Sequence, residues 1–273
     1  MSPHPPLRRL TSMASRFVHT RVLAVVLAVT LLVLGTAAAR DAAFAQMHDL
    51  LARGYYNSAA QLNGPNLVQR FPDDPEAHLL YARALYFVGD VAGASARLAL
   101  ATERVGSGVP ADHVHLGGLI RAAQGDAAGA VRPLQNAFLR NRSYEYAMDW
   151  ARVAWQAGMY EEAIDAYAAA ALTDRGRTEP WPPLGRGRLL ASLDRTEEAI
   201  AAFELAILVF EANDPGGALP SPAYVEAYFR LGEAYEGLGH LTSAEAAYKS
   251  ARTADPNFGP AVRALDRLSR RID

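Results

Sequence analysis

From Val225 to Phe258 the apolar positions trace one helical stripe, stop, and trace it again. Tyr228, Leu231 and Tyr235 recur at spacings of three and four, the period of a single helix face. Gly239 then interrupts, as the residue that tolerates the left-handed conformation closing a helix. Ala244, Tyr248 and Ala251 resume the period, and Pro256, after Asp255, ends it. Gly232, Ala244 and Ala251 are small where two helices must come close. The pattern predicts a helical hairpin of 34 residues. One such hairpin cannot bury its own apolar stripes, so the unit has to recur.

It does recur. The turn residue falls at Gly54, Gly89, Gly125, Gly158, Asp194 and Gly239, at intervals of 35, 36, 33, 36 and 45. The small residue opening the second helix falls at Ala59, Ala94, Ala130, Ala163, Ala199 and Ala244, at the same intervals. Two residue classes in step over six units predict an array with units at about 42–74, 75–108, 110–142, 143–175, 180–212 and 225–258. In the first, helices of about 40–52 and 57–71 are expected, with a kink or break at Asn63-Gly64-Pro65, since Pro lacks the amide and clashes with the preceding turn. In the second, Asp74 suits an N-cap and Pro75 a first helical position. Gly106-Ser107-Gly108 reads as a flexible joint, and Pro133 as a bend in the second helix of the third unit. Residues 213–224, rich in turn formers, read as an inter-repeat loop. Residues 259–273 read as a capping helix whose charged face carries Arg263, Asp266, Arg267, Arg270 and Arg271.

Over about residues 42–273 the sequence resembles tetratricopeptide repeats. The W-x2-L-G-x2-Y element stands as Tyr228-x2-Leu231-Gly232-x2-Tyr235, the A-x3-F element as Ala244-x3-Tyr248, and the closing proline as Pro256. Most units lack the opening Trp, the first is weak, and the last follows an insertion. The resemblance implies an all-α fold, a right-handed α-solenoid of about six helix-turn-helix repeats with a C-terminal cap. It also implies a concave groove, lined by the first helix of each unit, that holds an extended or helical peptide.

Charge adds a division. Residues 1–40 carry five arginines and no acid, while residues 41–273 carry 22 basic against 29 acidic residues. An acidic body lacks the basic footprint of non-specific nucleic-acid binding, so no nucleic-acid partner is expected. Cysteine is absent, which excludes disulfides, thiolate catalysis and thiolate metal sites. Residues 1–21 form a basic tail, and residues 22–39, VLAVVLAVTLLVLGTAAA, are uncharged and apolar. This is a targeting segment with two outcomes. As a retained transmembrane helix it is just long enough, since ~17–20 residues span a bilayer. As a signal-peptide core it would be cut at Ala37-Ala38-Ala39 or at Ala43-Phe44-Ala45. Either places the body in the cell envelope, outside the cytoplasm: anchored in the inner membrane, or periplasmic or secreted after cleavage.

Candidate chemistry is sparse. No phosphate-binding glycine loop, nucleophile elbow or H-E-x2-H motif occurs. His113 and His115, two apart on a helix, point to different faces and read as ordinary surface histidines; His48, His78 and His240 stand alone. Glu161-Glu162 and Glu197-Glu198 sit in first turns, where acids complement the helix dipole. No enzyme activity, metal or cofactor is expected. The first helices are more informative. Their predicted groove face presents Arg83, Tyr86 and Phe87, then Leu119, then Met148, Arg152 and Trp155, then Arg188. The arginines either grip a carboxylate or phosphate, which the guanidinium fork matches, or simply pair with neighbouring acids. The expectation is an adaptor of the cell envelope that binds a protein or peptide. The alternatives are an enzyme or enzyme subunit of envelope assembly, and a self-assembling structural protein.

Overall fold

The structure, a computed structural model, describes residues 37–214 and 221–272. The basic tail and most of the apolar segment therefore lie outside the described residues. Among the described residues all regular structure is helical, and no helix is long and apolar enough to cross a membrane. The chain divides into two compact units, one ending at Arg104 and the other running from Val105.

The first unit opens with α1, residues 37–52. It continues through α2 (Tyr56–Ser58), a π turn (Ala59–Asn63) and α3 (Gly64–Arg70) to α4 (Pro75–Phe87) and α5 (Val91–Val105). Of the expected kink or break at Asn63-Gly64-Pro65, the break is corrected: the run stays helical, with a π turn at Ala59–Asn63. The Gly64 N–H donates to the Ala59 carbonyl across the wider turn, and Pro65 falls in the first turn of α3, so the chain stays helical through the proline. A side chain on Gly64 would run into the Tyr81 ring of α4, so the missing Cβ is what lets the two helices meet. The entry to α4 is tied to α1. Asp74 caps α4 by accepting from the Glu76 N–H at 3.0 Å, and its other oxygen accepts from Arg40 Nε at 3.0 Å and Nη2 at 2.7 Å. The Arg40 guanidinium lies 4.3 Å from the Phe44 ring centroid, and Phe44 meets Phe71 at 5.5 Å. Phe44 and Met47 are buried, so the start of α1 belongs to this unit's core.

The second unit stacks α6 (Ala111–Ala123), α7 (Ala127–Arg140), α8 (Tyr144–Gln156), α9 (Tyr160–Ala171), α10 (Trp181–Ser192), α11 (Thr196–Asn213), α12 (Pro222–Gly237), α13 (Leu241–Ala254) and α14 (Gly259–Ile272). Each helix packs on the next, and the first helices also meet one another, α6 on α8 and α10 on α12. Every hairpin turn uses one backbone device. Gly125, Gly158 and Gly239 have φ of 94°, 73° and 77°, as do Gly54 and Gly89 of the first unit at 76° and 83°. At the remaining turn Asp194 adopts φ 57°, alone among the described non-glycine residues in being left-handed.

Within a hairpin, a ring or branched side chain of the second helix lands on a glycine of the first. A Cβ at Gly187 would lie 2.5 Å from the Phe203 ring, and one at Gly118 would lie 2.8 Å from Leu134. Pro133 stays inside α7. The expected loop at 213–224 is narrower, because α11 runs on to Asn213 and α12 starts at Pro222, with Ser221 as its N-cap. Proline at the first helical position gives up no hydrogen bond. The last apolar face is closed by α14, where Ala264 and Leu268 pack against Ala244 and Tyr248.

Candidate partner-binding site

On the first-helix face of the second unit a cavity of about 460 Å³ opens between α8, α10, α11 and α12. Trp155 forms its apolar wall, with the fully buried Phe203 packed behind the lining. Ala191, Ala234 and Gly237 keep it open by their small size, and Arg188, Arg230 and Glu233 supply charge. The Arg188 guanidinium stands 6.0 Å from the Trp155 ring centroid, a cation over an indole face. Two predicted residues, Trp155 and Arg188, thus line one cavity.

The arginines pair with local acids. Arg152 donates from Nη2 to Asp149 Oδ1 at 2.8 Å. Arg188 reaches Glu226 at 3.6 Å. Arg230 bridges Glu226 at 3.4 Å and Glu233 at 2.9 Å. The floor is a ladder of alternating charge rather than a row of free cations. All three guanidinium groups remain half exposed, so these pairs contribute on the order of 0–1 kcal/mol each and a ligand can rearrange them.

Asp149 anchors the ladder on α8. Burial raises its pKa, but hydrogen bonds from His115 (3.0 Å) and Arg152 outweigh that and hold it below the usual carboxylate value. His115 stacks on Tyr146 at 4.0 Å between centroids. The expectation that His113 and His115 are surface groups is therefore corrected. They are 5% and 8% exposed, and they turn to separate carboxylates, Asp112 and Asp149. His78 is buried too, with Nε2 2.8 Å from the Pro72 carbonyl. Among the described residues no three His, Cys, Asp or Glu side chains gather where they could hold a metal ion.

The other predicted groove residues fall differently. Met148 is half-buried on α8. Leu119 is 6% exposed and belongs to the core, which corrects its place on the groove floor: α6 turns it inward with Leu116 and Ile120. Arg83, Tyr86 and Phe87 lie in the first unit, where Phe87 stacks on Tyr56 at 4.3 Å and meets Tyr86 at 5.5 Å. Sequence reasoning missed Arg230 and Phe203 as cavity groups, and Glu226 as the acid that pairs with both Arg188 and Arg230. Arg230 and Glu226 are four apart on α12, a helical-pair signal that was available. Phe203 belongs to a second helix and reaches the cavity only because Gly187 has no side chain to block it.

The tetratricopeptide repeat family model matches residues 184–257, the fifth and sixth units. No curated protein matches the chain in sequence. Solved structures share the fold. YrrB, described as a tetratricopeptide-repeat protein with an unusual peptide-binding site, superposes with a TM-score of 0.55 at 17% identity, over 76% of this chain and 100% of its own. The Cut9–Hcn1 hetero-tetramer of the APC/C gives 0.52 at 16% identity, over 83% and 42%. The C-terminal part of a tetratricopeptide-repeat protein from Cytophaga hutchinsonii gives 0.50 at 16%, over 81% and 99%. Repeated hairpins and left-handed turns define the class of fold, an array of helical hairpins of the tetratricopeptide-repeat kind, and residues 184–257 match that family.

Proposed function

We propose that the chain is a non-enzymatic adaptor that holds a protein or peptide segment on the first-helix face of its repeats. The observation carrying this reading is the open cavity walled by Trp155, backed by the buried Phe203, and edged by Arg188, Arg230 and Glu233. It offers one apolar seat with both signs of charge at its rim, which suits a peptide side chain flanked by polar groups. YrrB, which shares the fold, is described as having a peptide-binding site. A photo-crosslinker placed at Ala191 in the full chain should capture one defined partner in its native envelope. Trp155→Ala with Arg188→Glu should abolish that product, whereas Arg263→Glu on α14 should leave it. Capture unaffected by the cavity variant overturns the reading.

The adaptor works in the cell envelope, anchored through residues 22–39. The apolar run and its basic flank support this, as does the continuous helix from residue 37 that builds Arg40, Phe44 and Met47 into the first unit. Fractionation with protease accessibility tests it: a body digested only after the inner membrane is breached would refute the placement.

A further inference from the structure

The second helices carry a row of their own. Leu139, Leu172 and Leu208 each stand nine residues after the buried alanine of their unit, Ala130, Ala163 and Ala199. They are 60%, 72% and 61% exposed. Each of α7, α9 and α11 packs between two first helices, so the order of the repeats sets equivalent positions one after another along the array. Three large exposed leucines at one register recur with the repeat, so they are not scattered surface apolars. The row ends at the sixth unit, whose equivalent residue is the exposed Thr253.

The charges around it are ordered. Beside Leu139, Arg132 and Arg142 are exposed and have no acid partner among the described residues. Beside Leu208, Glu204 and Glu211 are exposed and accept only from tyrosine hydroxyls, Tyr235 on the one and Tyr224 and Tyr228 on the other. In the middle, Arg175 is already paired with Glu145 at 2.7 Å and Glu179 at 3.2 Å. Asp165, also exposed, sits seven residues before Leu172, at the register that Arg132 holds on α7 and about 10 Å along the helix from the leucine. The face is therefore basic at α7, mixed at α9, where Asp165 stands beside the paired Arg175, and acidic at α11.

We infer that this face pairs with a second copy of the chain, about a two-fold axis running along α9. Such an axis brings α7 of one copy against α11 of the other, at matching register. Leu139 then meets Leu208 of the second copy, Leu172 meets its own counterpart on the axis, Arg142 meets Glu211, and Arg132 lies within a turn of Glu204. A self-complementary patch is what an isologous interface requires. A partner of uniform charge would be repelled at one end of the row. The alternative two-fold, across the helices, would set α7 on α7 and α11 on α11, like charge on like.

Sedimentation velocity of the detergent-solubilised full chain tests this. The wild type should show a concentration-dependent monomer–dimer equilibrium that weakens with salt. Leu172→Arg should weaken it by tenfold or more, on the order of one buried-charge penalty. Arg132→Glu with Arg142→Glu makes both ends acidic, and Glu204→Arg with Glu211→Arg makes both basic. Each variant alone should be monomeric, and the two mixed should dimerise one to one. Misfolding could abolish association, but it could not restore it on mixing. A monomeric wild type, charge variants that self-associate as the wild type does, or a mixture that stays monomeric would each overturn the inference.

Discussion

Tyr248 of α13 lies on Gly232 of α12 so closely that a Cβ at position 232 would sit 2.5 Å from its ring. The ring has nowhere to retreat. It is fully buried, and its hydroxyl donates to Glu236 Oε2 at 3.0 Å, the same carboxylate oxygen that Arg267 of α14 grips at 2.6 Å. One missing methyl thus sets the spacing of the last hairpin and the seat of its cap.

Gly232→Ala should therefore destabilise the protein. The helix-propensity gain of about 0.5–1 kcal/mol is outweighed by overpacking of about 1–3 kcal/mol. Gly237→Ala, five residues on, is the control. A Cβ there meets nothing within 4 Å, so the change should be neutral or stabilising by up to about 1 kcal/mol. Denaturant unfolding followed by circular dichroism compares the pair; equal effects would remove the close-contact account.

A second exchange tests the turns. Asp194 holds a left-handed φ of 57°, where its sister turns use glycine. Asp194→Gly should stabilise by about 1 kcal/mol, since a Cβ in that region costs roughly 1–2 kcal/mol and glycine escapes it. Gly239→Ala, at φ 77°, should cost a similar amount. Both shifts are read as a change in denaturation midpoint at constant slope.

The turn positions were legible because left-handed backbone demands a residue type, and six demands in step leave a trace in the sequence. The close contacts were half legible: Gly232 announced an approach, but only packing shows that Tyr248 fills it. The site was less legible. Leu119 and Arg188 take corresponding places in the helical pattern, yet one is buried and the other half exposed, because the face a helix turns to solvent depends on its neighbours. The buried histidines were unreadable for the same reason, since Asp149, the partner of His115, lies 34 residues away on another helix.

Asp149 gives the protein an acid-sensitive joint. Its folded pKa lies below the ordinary value: burial opposes the charge, but hydrogen bonds from His115 and Arg152 more than offset it. The depressed value means the unfolded chain takes up this proton first as pH falls. The stability contribution is thus fully present above the unfolded value of about 4 and is lost as pH drops through the lower folded value. Asp149→Asn should flatten the decline in unfolding free energy below about pH 4. At neutral pH it should cost about 1–3 kcal/mol, from weaker bonds to His115 and Arg152. An unchanged acid slope in the variant would assign the decline to other carboxylates.

The first helix bears on how the chain is processed. The sequence offers Ala43-Phe44-Ala45 as a signal-peptidase site, but the structure uses that stretch otherwise. Phe44 is 4% exposed, packs on Phe71, and carries the Arg40 guanidinium on its ring, while Arg40 also holds the Asp74 cap of α4. Cutting after Ala45 would remove Arg40 and Phe44 together. Deleting one buried Phe side chain typically costs about 3–5 kcal/mol, and the ion pair and cap contact would go with it. Mass spectrometry of the native protein should therefore find a mature N-terminus no later than Arg40. Phe44→Ala in the full chain should open the first unit to hydrogen exchange or protease at lower denaturant than the second. A mature chain starting at Gln46 with its first unit still protected would show that this core closes without α1.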